Sequence, residues 1–258
     1  MRRIKEAATS GHREVILTGV NLMHYGQEWG GSLAELLDEV LHVAPERLRL
    51  SSLQPEAITG SLLRHWRDRR LCRHFHLALQ SGSDSVLRRM GRRYTTAQYR
   101  EAVERIRQAV PGASITTDVM VGFPGETQRE FEESFAFCRD MGFARMHIFE
   151  YSPRPGTAAA RIHETVPARN KSARSQLMLD LAATASGTFN QGFLGCTLEV
   201  LFEEEVRECP GHWRGLTENY LDVEVQSVLP LSNRLLPVTL LDARSTGIRG
   251  CIEKHARN

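Results

Sequence analysis

The feature that most constrains this chain is an alternation: five short β-rich runs, each followed by a loop and then by residues with apolar positions at helical spacing. "EVILTGVN" (14–21) precedes "GGSLAELLDEVL", where Ser32 stands three residues before Glu35 as a capping box and Leu33, Leu36, Leu37, Val40 and Leu41 share a helical face. "RLRLSSL" (47–53) precedes "AITGSLLRHWRDR", a helix expected over 57–69. "HFHLALQ" (74–80) passes through "SGSD" into "SVLRRMG" and then into a helix opened by the pair Thr95 and Gln98. "TTDVMVGFPGET" (116–127) is the fourth run. Behind it Thr127 and Glu130 form another capping box, with Phe131, Phe135, Cys138 and Met141 on one face before Gly142. "RMHIFEYS" (145–152) is the fifth. Strands alternating with helices imply parallel βα units, either a barrel or an open doubly wound sheet. In both, sites assemble where strands hand over to loops. Gly19 and Asn21, then Gln80, Ser81 and Gly82, then Gly122, then Ser152 all fall there.

The last quarter differs. A helix with apolar residues at Leu177, Leu181 and Phe189 is followed by short strands: "CTLEVLFEEE", "HWRGLTENY", "LDVEVQS" and "LLPVTLLDARSTGIRGCIE". Closely spaced strands split by Gly, Pro and Asn predict a small β-barrel. The predicted organisation is an α/β domain over 1–189 and an all-β domain over 190–258.

Charge excludes one class of function. Lys plus Arg (33) against Asp plus Glu (31) leaves a net charge of +2, so the whole molecule is not a polycation that binds nucleic acid by charge alone. Local patches are the alternative source of phosphate contacts: "RHWRDRRLCRH" has five arginines and "RRMGRR" four. A charge run is more often a solvated helix face. The start of the chain has no secretory signal pattern, and no apolar run reaches membrane-spanning length, which predicts a cytoplasmic protein. The five cysteines, at 72, 138, 196, 209 and 251, have no metal-ligand spacing and read as isolated thiols. An aldolase-type Schiff base would need a lysine at a strand end, whereas Lys5, Lys171 and Lys254 are all expected to lie away from strand ends.

"LTGVNLMHYG", "HLALQSGSDSVLRRMGRRYT", "TTDVMVGFPGETQREFEESFAFCRDMGF" and "HIFEYSPRPGTAAARI" together resemble the radical S-adenosylmethionine (SAM) methylthiotransferases. The nearest resemblance is to the branch that adds a methylthio group to N6-threonylcarbamoyladenosine in tRNA. The isopentenyladenosine branch and a relative that modifies a ribosomal protein follow. The similarity runs from about residue 3 to about residue 250, and the final barrel resembles the family's RNA-binding TRAM domain.

The resemblance implies a partial TIM-like (β/α) radical SAM barrel lacking its first strand, then an OB-like TRAM barrel. It implies SAM as cofactor, tRNA as partner, and [4Fe-4S] clusters held by cysteines that this sequence does not have at matching positions. Cleavage of SAM by this polypeptide alone is therefore not expected. A partner polypeptide supplying the cluster ligands, or a cluster-free protein that binds tRNA or SAM, are the alternatives. Carried over by position, the SAM contacts are Gly19, Asn21, Gln80, Ser81, Gly82, Asp118, Val121, Gly122, Phe149 and Tyr151, with Gly122 letting the cofactor approach. Arg214, Asn219 and Tyr220, beside Trp213, would meet unpaired bases. Arg154 could clamp an anion or face solvent. A sheet without its first strand would leave an edge open beside "EVILTGVN".

Overall fold

Five parallel strands follow one another in chain order in the computed structural model, which describes all residues except 20, 164, 208, 245, 246 and 254–258. After helix α1 (Arg2–Thr9), β1 (Glu14–Leu17) pairs with β2 (Arg47–Leu50), from Glu14 opposite Arg47 to Leu17 opposite Leu50. Single bridges, Leu48 to Leu71 and Leu53 to Leu77, join β2 to the run containing β3 (His74–His76). β3 pairs with β4 (Ser114–Val121), and β4 with β5 (Arg145–Glu150). The order never reverses, so these five strands contain no switch point of a doubly wound sheet. Among the described residues the arc does not close.

One face of the arc is packed by helices. α2 (Leu33–Leu41) buries Leu33, Leu37 and Val40, and the Ser32 hydroxyl accepts from the Glu35 amide at 3.2 Å, the forward half of the expected box. The helix expected over 57–69 contracts to α3 (Gly60–Leu63) and a 3-10 turn over Arg64–Arg67. The reason is tertiary: His65 Nε2 meets Asp38 at 2.9 Å, and Trp66 folds back to stack on Phe75 at 4.4 Å and donate to the Cys72 carbonyl. α4 (Asp84–Arg89) and α5 (Thr96–Ala109) follow, the latter opened by the complete Thr95–Gln98 box. α6 (Gln128–Met141) has the complete Thr127–Glu130 box and ends on left-handed Gly142.

Glu130 is a strong local anchor. Besides closing the cap, it accepts from both terminal nitrogens of Arg89 at 2.8 Å and from the Ser85 hydroxyl at 2.5 Å. The Arg89 guanidinium, with Ser85 and Thr127 behind it, holds this carboxyl down at about 2 against the opposing effect of burial. A folded value below the ordinary 4.5 means stabilisation that is present above 4.5 and lost as pH falls through about 2. Glu130→Gln keeps the cap geometry and removes the charge. It is expected to lower stability by about 2–3 kcal/mol at neutral pH, with the difference from wild type closing between pH 4.5 and 2 in thermal melts.

α7 (Ala168–Gln191) leads out of the arc. Its inward face corrects the expected one: Leu177 is 50% exposed, and Arg174 and Met178 are buried with Leu181, Ala182 and Ala185 beside them. Phe189 packs instead on the second core. That core fills a closed barrel of order β10-β8-β7-β6-β9, built from β6 (Thr197–Glu205), β7 (His212–Thr217), β8 (Asp222–Gln226), β9 (Leu235–Arg244) and β10 (Gly247–Ile252). Val200, Phe202, Val223, Val238, Leu240 and Ile248 are its fully buried centre.

The two parts are joined through charged groups. Arg49, 3% exposed, forks onto Glu14 at 2.7 and 3.1 Å and donates to the carbonyls of Thr217 and Glu218 at 3.2 Å each. Arg47 donates to the carbonyls of Leu216 and Glu199, and Arg73 pairs with Glu218 at 2.6 Å. The turn after β7 thereby sits under the N-terminal ends of the arc's strands.

Candidate functional site

Period-two alternation decides what faces the hollow of the arc. On β4, Ile115, Val119 and Val121 enter the helix-packed core, while Asp118 and Met120 line a cleft of about 660 Å³ at the C-terminal ends of β3 to β5. Gln80, Phe149 and Tyr151 line the same cleft, together with Arg92, Phe123 and Arg154. Four of the ten positions expected to meet SAM are thus gathered in one place.

Gln80 is held there by an unusual backbone. Its φ is 67°, in the left-handed region that costs a side-chain-bearing residue energy. Its amide donates to the Asp118 carbonyl at 2.8 Å and its carbonyl accepts from the Met120 amide at 2.9 Å. The chain therefore turns out of the sheet at Gln80 without losing either ladder bond.

Asp118 faces a histidine pair. Its Oδ2 is 3.4 Å from His76 Nε2, and His76 Nδ1 meets Thr116 Oγ1 at 3.0 Å, with the His147 ring 6.1 Å from that of His76. The hydrogen bond from His76, supported by the charge of His76 and His147, holds the Asp118 carboxyl below the usual carboxylate range despite burial. Burial pushes His147 down. Near neutral pH the cleft therefore presents the ionised Asp118 carboxylate, an amide, Arg92 and Arg154 beside the Glu130-bound Arg89, the thioethers of Met90 and Met120, and an edge-to-face pair of rings, Phe123 and Tyr151, 5.5 Å apart. The Tyr151 hydroxyl is buried with no hydrogen-bond partner. This set fits SAM: a carboxylate and amide for ribose hydroxyls or an ammonium, arginines for a carboxylate, aromatic faces for adenine.

The other expected contacts lie elsewhere. Gly19 is exposed beyond the end of β1, and Asn21 spends its side-chain oxygen on the Met23 amide at 3.2 Å. Ser81 is fully buried and accepts from the Ser83 amide at 3.2 Å. Gly82 lacks a Cβ because α6 is there: an added Cβ would sit 2.8 Å from Ser134 Cα, and its amide donates to the Ser134 hydroxyl. Val121 is core.

Gly122 adopts φ 72°, its amide donates to Glu126 Oε2 at 2.7 Å, and an added Cβ would lie 2.3 Å from Lys171 Cγ. The space expected to admit a cofactor at Gly122 holds the Lys171 stem. This corrects the sequence reading of Lys171 too, since its Nζ reaches the Tyr151 carbonyl at 3.3 Å, at the ends of β4 and β5. Lys254 lies outside the described residues.

The arginine patches divide. Arg64 pairs with Asp38, Arg70 with Asp68 and Arg73 with Glu218 across the junction, so three of that run's five arginines are engaged in ion pairs. In the second run Arg92 reaches the cleft. Of the residues expected to meet RNA, Asn219 is fully buried, bonded to Thr217 Oγ1 at 2.6 Å and to the Gly112 carbonyl at 3.4 Å. Tyr220 stacks on His74 at 4.3 Å with the Arg49 and Arg145 guanidiniums over its ring. Both brace the junction between the two parts, and their side chains are not presented on an open barrel face. Arg214 is half-exposed beside Asp222 at 3.4 Å.

None of the five cysteines lines the cleft, and the described residues contain no group of three metal-ligating side chains. Cys72 and Cys138 are buried, their thiols pushed up to about 12 by desolvation. Cys196, Cys209 and Cys251 are exposed. These residues do not fit an iron–sulfur cluster. Sequence reasoning missed Met120, Phe123 and Arg92. Met120 was recoverable, because it shares Asp118's face by the strand period.

Comparison with known proteins gives a consistent picture. The pattern of the radical SAM superfamily matches residues 1–138. The threonylcarbamoyladenosine tRNA methylthiotransferase MtaB of Thermotoga maritima is 39% identical over 221 residues, covering 85% of this chain and 50% of that protein. The tRNA-2-methylthio-N(6)-dimethylallyladenosine synthase of Bacillus velezensis is 32% identical over 260 residues, covering 99% of this chain and 51% of that one. The chain spans about half the length of these curated relatives. Among solved structures, coproporphyrinogen III oxidase of Escherichia coli, a radical SAM enzyme, superposes with a TM-score of 0.55 at 16% identity, over 68% of this chain and 41% of that one, a likeness of fold. No described helix is long and apolar enough to cross a membrane. With the family pattern extending over more than half of its residues, the chain belongs to the radical SAM superfamily, and the two curated relatives named above are tRNA methylthiotransferases by name.

Proposed function

We propose that this protein serves in the SAM-dependent methylthiolation of N6-threonylcarbamoyladenosine in tRNA, with SAM held in the cleft at the ends of β3 to β5. The observation that carries the reading is the convergence of Gln80, Asp118, Phe149 and Tyr151 on that one cleft. A bound SAM supplies a sulfonium that can be cleaved and a methyl group that can be transferred. The chain's own residues bind and orient it: Asp118, fixed by His76, and Gln80 take polar hydrogens, Arg92 and Arg154 face a carboxylate, and Phe149 and Tyr151 cover a planar ring. No step is assigned to an iron–sulfur cluster on these residues. Residues 1–189 form the partial barrel in this reading, residues 190–258 the RNA-binding TRAM barrel, and the protein works in the cytoplasm.

A second reading places the dimethylallyl-type adenosine as substrate, favoured by a relative of that activity that aligns with 99% of the chain. Mass spectrometry of tRNA nucleosides from a deletion strain separates them. Loss of the methylthio group from threonylcarbamoyladenosine, restored by the gene, is the expected result. Loss from the dimethylallyl nucleoside instead supports the second reading, and an unchanged nucleoside profile overturns both.

A further inference from the structure

A second pocket, of about 450 Å³, lies at the opposite end of the arc from the cleft, between β4, β5, α7 and the small barrel. Its floor carries Ser114, 1% exposed, whose hydroxyl has no hydrogen-bond partner. A buried hydroxyl without a protein partner is costly, and water or a ligand that reaches it satisfies it. Beside it stands Asp222, whose 3.4 Å approach to Arg214 Nε lacks hydrogen-bond alignment, so its carboxylate retains acceptor capacity. Arg145 lies over the Tyr220 ring at 5.3 Å and has no carboxylate within ion-pair distance among the described residues. The α7 wall is low, made of Ala183, Ser186 and Gly187, and ends in the Phe189 ring. A Cβ added at Gly187 would meet nothing within 4 Å.

We propose that this junction pocket binds a mononucleotide unit, with the base against Phe189 and the low wall of α7, its hydrogen-bonding edge toward Ser114 and Asp222, and its phosphate toward Arg145. A nucleotide meets all three demands at once: a planar ring, a donor and acceptor edge, and an anion. The volume falls within the usual range of small-ligand sites. Two sources offer the same chemistry, a free nucleotide or an unpaired nucleotide of bound RNA. The second source rests on the tRNA reading above, and the first does not.

The test uses the full chain with AMP, GMP, CMP and UMP in calorimetric titrations, and with tRNA in filter binding. Two variants are compared with wild type: Gly187→Leu, which fills the pocket from a helix position with open space, and Arg145→Met, which removes the cation. Melting curves verify that each is folded. Binding of at least one mononucleotide, weakened about tenfold or more by either variant as for loss of a charge-assisted contact, is the expected result. A parallel fall in tRNA affinity identifies an RNA nucleotide as the occupant, even where the isolated mononucleotides bind too weakly to register. Unchanged tRNA affinity with mononucleotide binding lost identifies a free nucleotide. If wild type binds no mononucleotide and neither variant alters tRNA affinity, or if both variants bind every ligand as wild type does, the proposal is overturned. In that case tRNA binding by wild type leaves the functional reading intact.

Discussion

Arg174→Met is expected to destabilise the protein by about 3–5 kcal/mol, the range for breaking a buried ion pair by removing one partner. Arg174 is 6% exposed and Glu126 4%. Arg174 Nη1 donates to Glu126 Oε2 at 2.7 Å and to its carbonyl at 3.1 Å, while the same carboxylate accepts from the Gly122 amide at 2.7 Å. One arginine on α7 thus fixes the glycine turn that follows β4. Burial outweighs both partners and keeps the Glu126 carboxyl above the ordinary 4.5. A folded value above the unfolded one favours the native state at low pH, and that advantage is lost as pH rises through it. Without Arg174 the carboxyl rises further. The Arg174→Met protein should therefore lose stability steeply as pH climbs from 4.5 toward neutrality, and a second change, Glu126→Gln, should restore much of it. Equal effects of the single and double variants across pH would contradict the assignment.

The second large effect is expected at the other end of the arc. Arg49→Met leaves the Glu14 carboxylate, 11% exposed at the side chain, with the 3.8 Å contact to Arg47 and the weak Cys72 thiol donor at 3.7 Å, and strips the Thr217 and Glu218 carbonyls of a donor. A loss of about 3–5 kcal/mol is expected here as well. Because Arg49 also covers the Tyr220 ring at 5.0 Å, the damage should spread to the turn after β7. Hydrogen exchange should accelerate over residues 217–221 more than in the β6–β9 pairing of the small barrel, which does not depend on this arginine. Protection unchanged in that turn would show that the junction is held by other contacts.

Local rules account for what was legible in the sequence. The Thr95–Gln98 and Thr127–Glu130 boxes are set by residues three apart, and both form in full. The strand period places Asp118 on the hollow side and Val121 in the core, although matching by position alone made both of them ligands. What was not legible depends on partners far apart in sequence. Lys171 fills the space at Gly122 and Arg174 neutralises Glu126 from a helix that begins some forty residues later, and nothing in "GFPG" announces either. Leu177 shows the same limit: the face α7 turns inward is set by Arg174 and Met178, so an apolar residue one position away is left exposed. Asn219 is spent on holding the two parts together, whereas Tyr220, its ring stacked on His74, still lines the junction pocket.

The most direct test of the central claim follows SAM by the methyl resonances of methionine. Met120 and Met90 line the cleft, whereas Met178 is buried on the inner face of α7 and Met141 in the core at the end of α6. In the full chain labelled at the methionine methyls, titration with SAM should shift Met120 and Met90 and leave Met178 and Met141 in place, and Asp118→Asn should weaken the response. Saturating SAM that leaves Met120 and Met90 unmoved, or that shifts only methionines outside the cleft, would contradict the account.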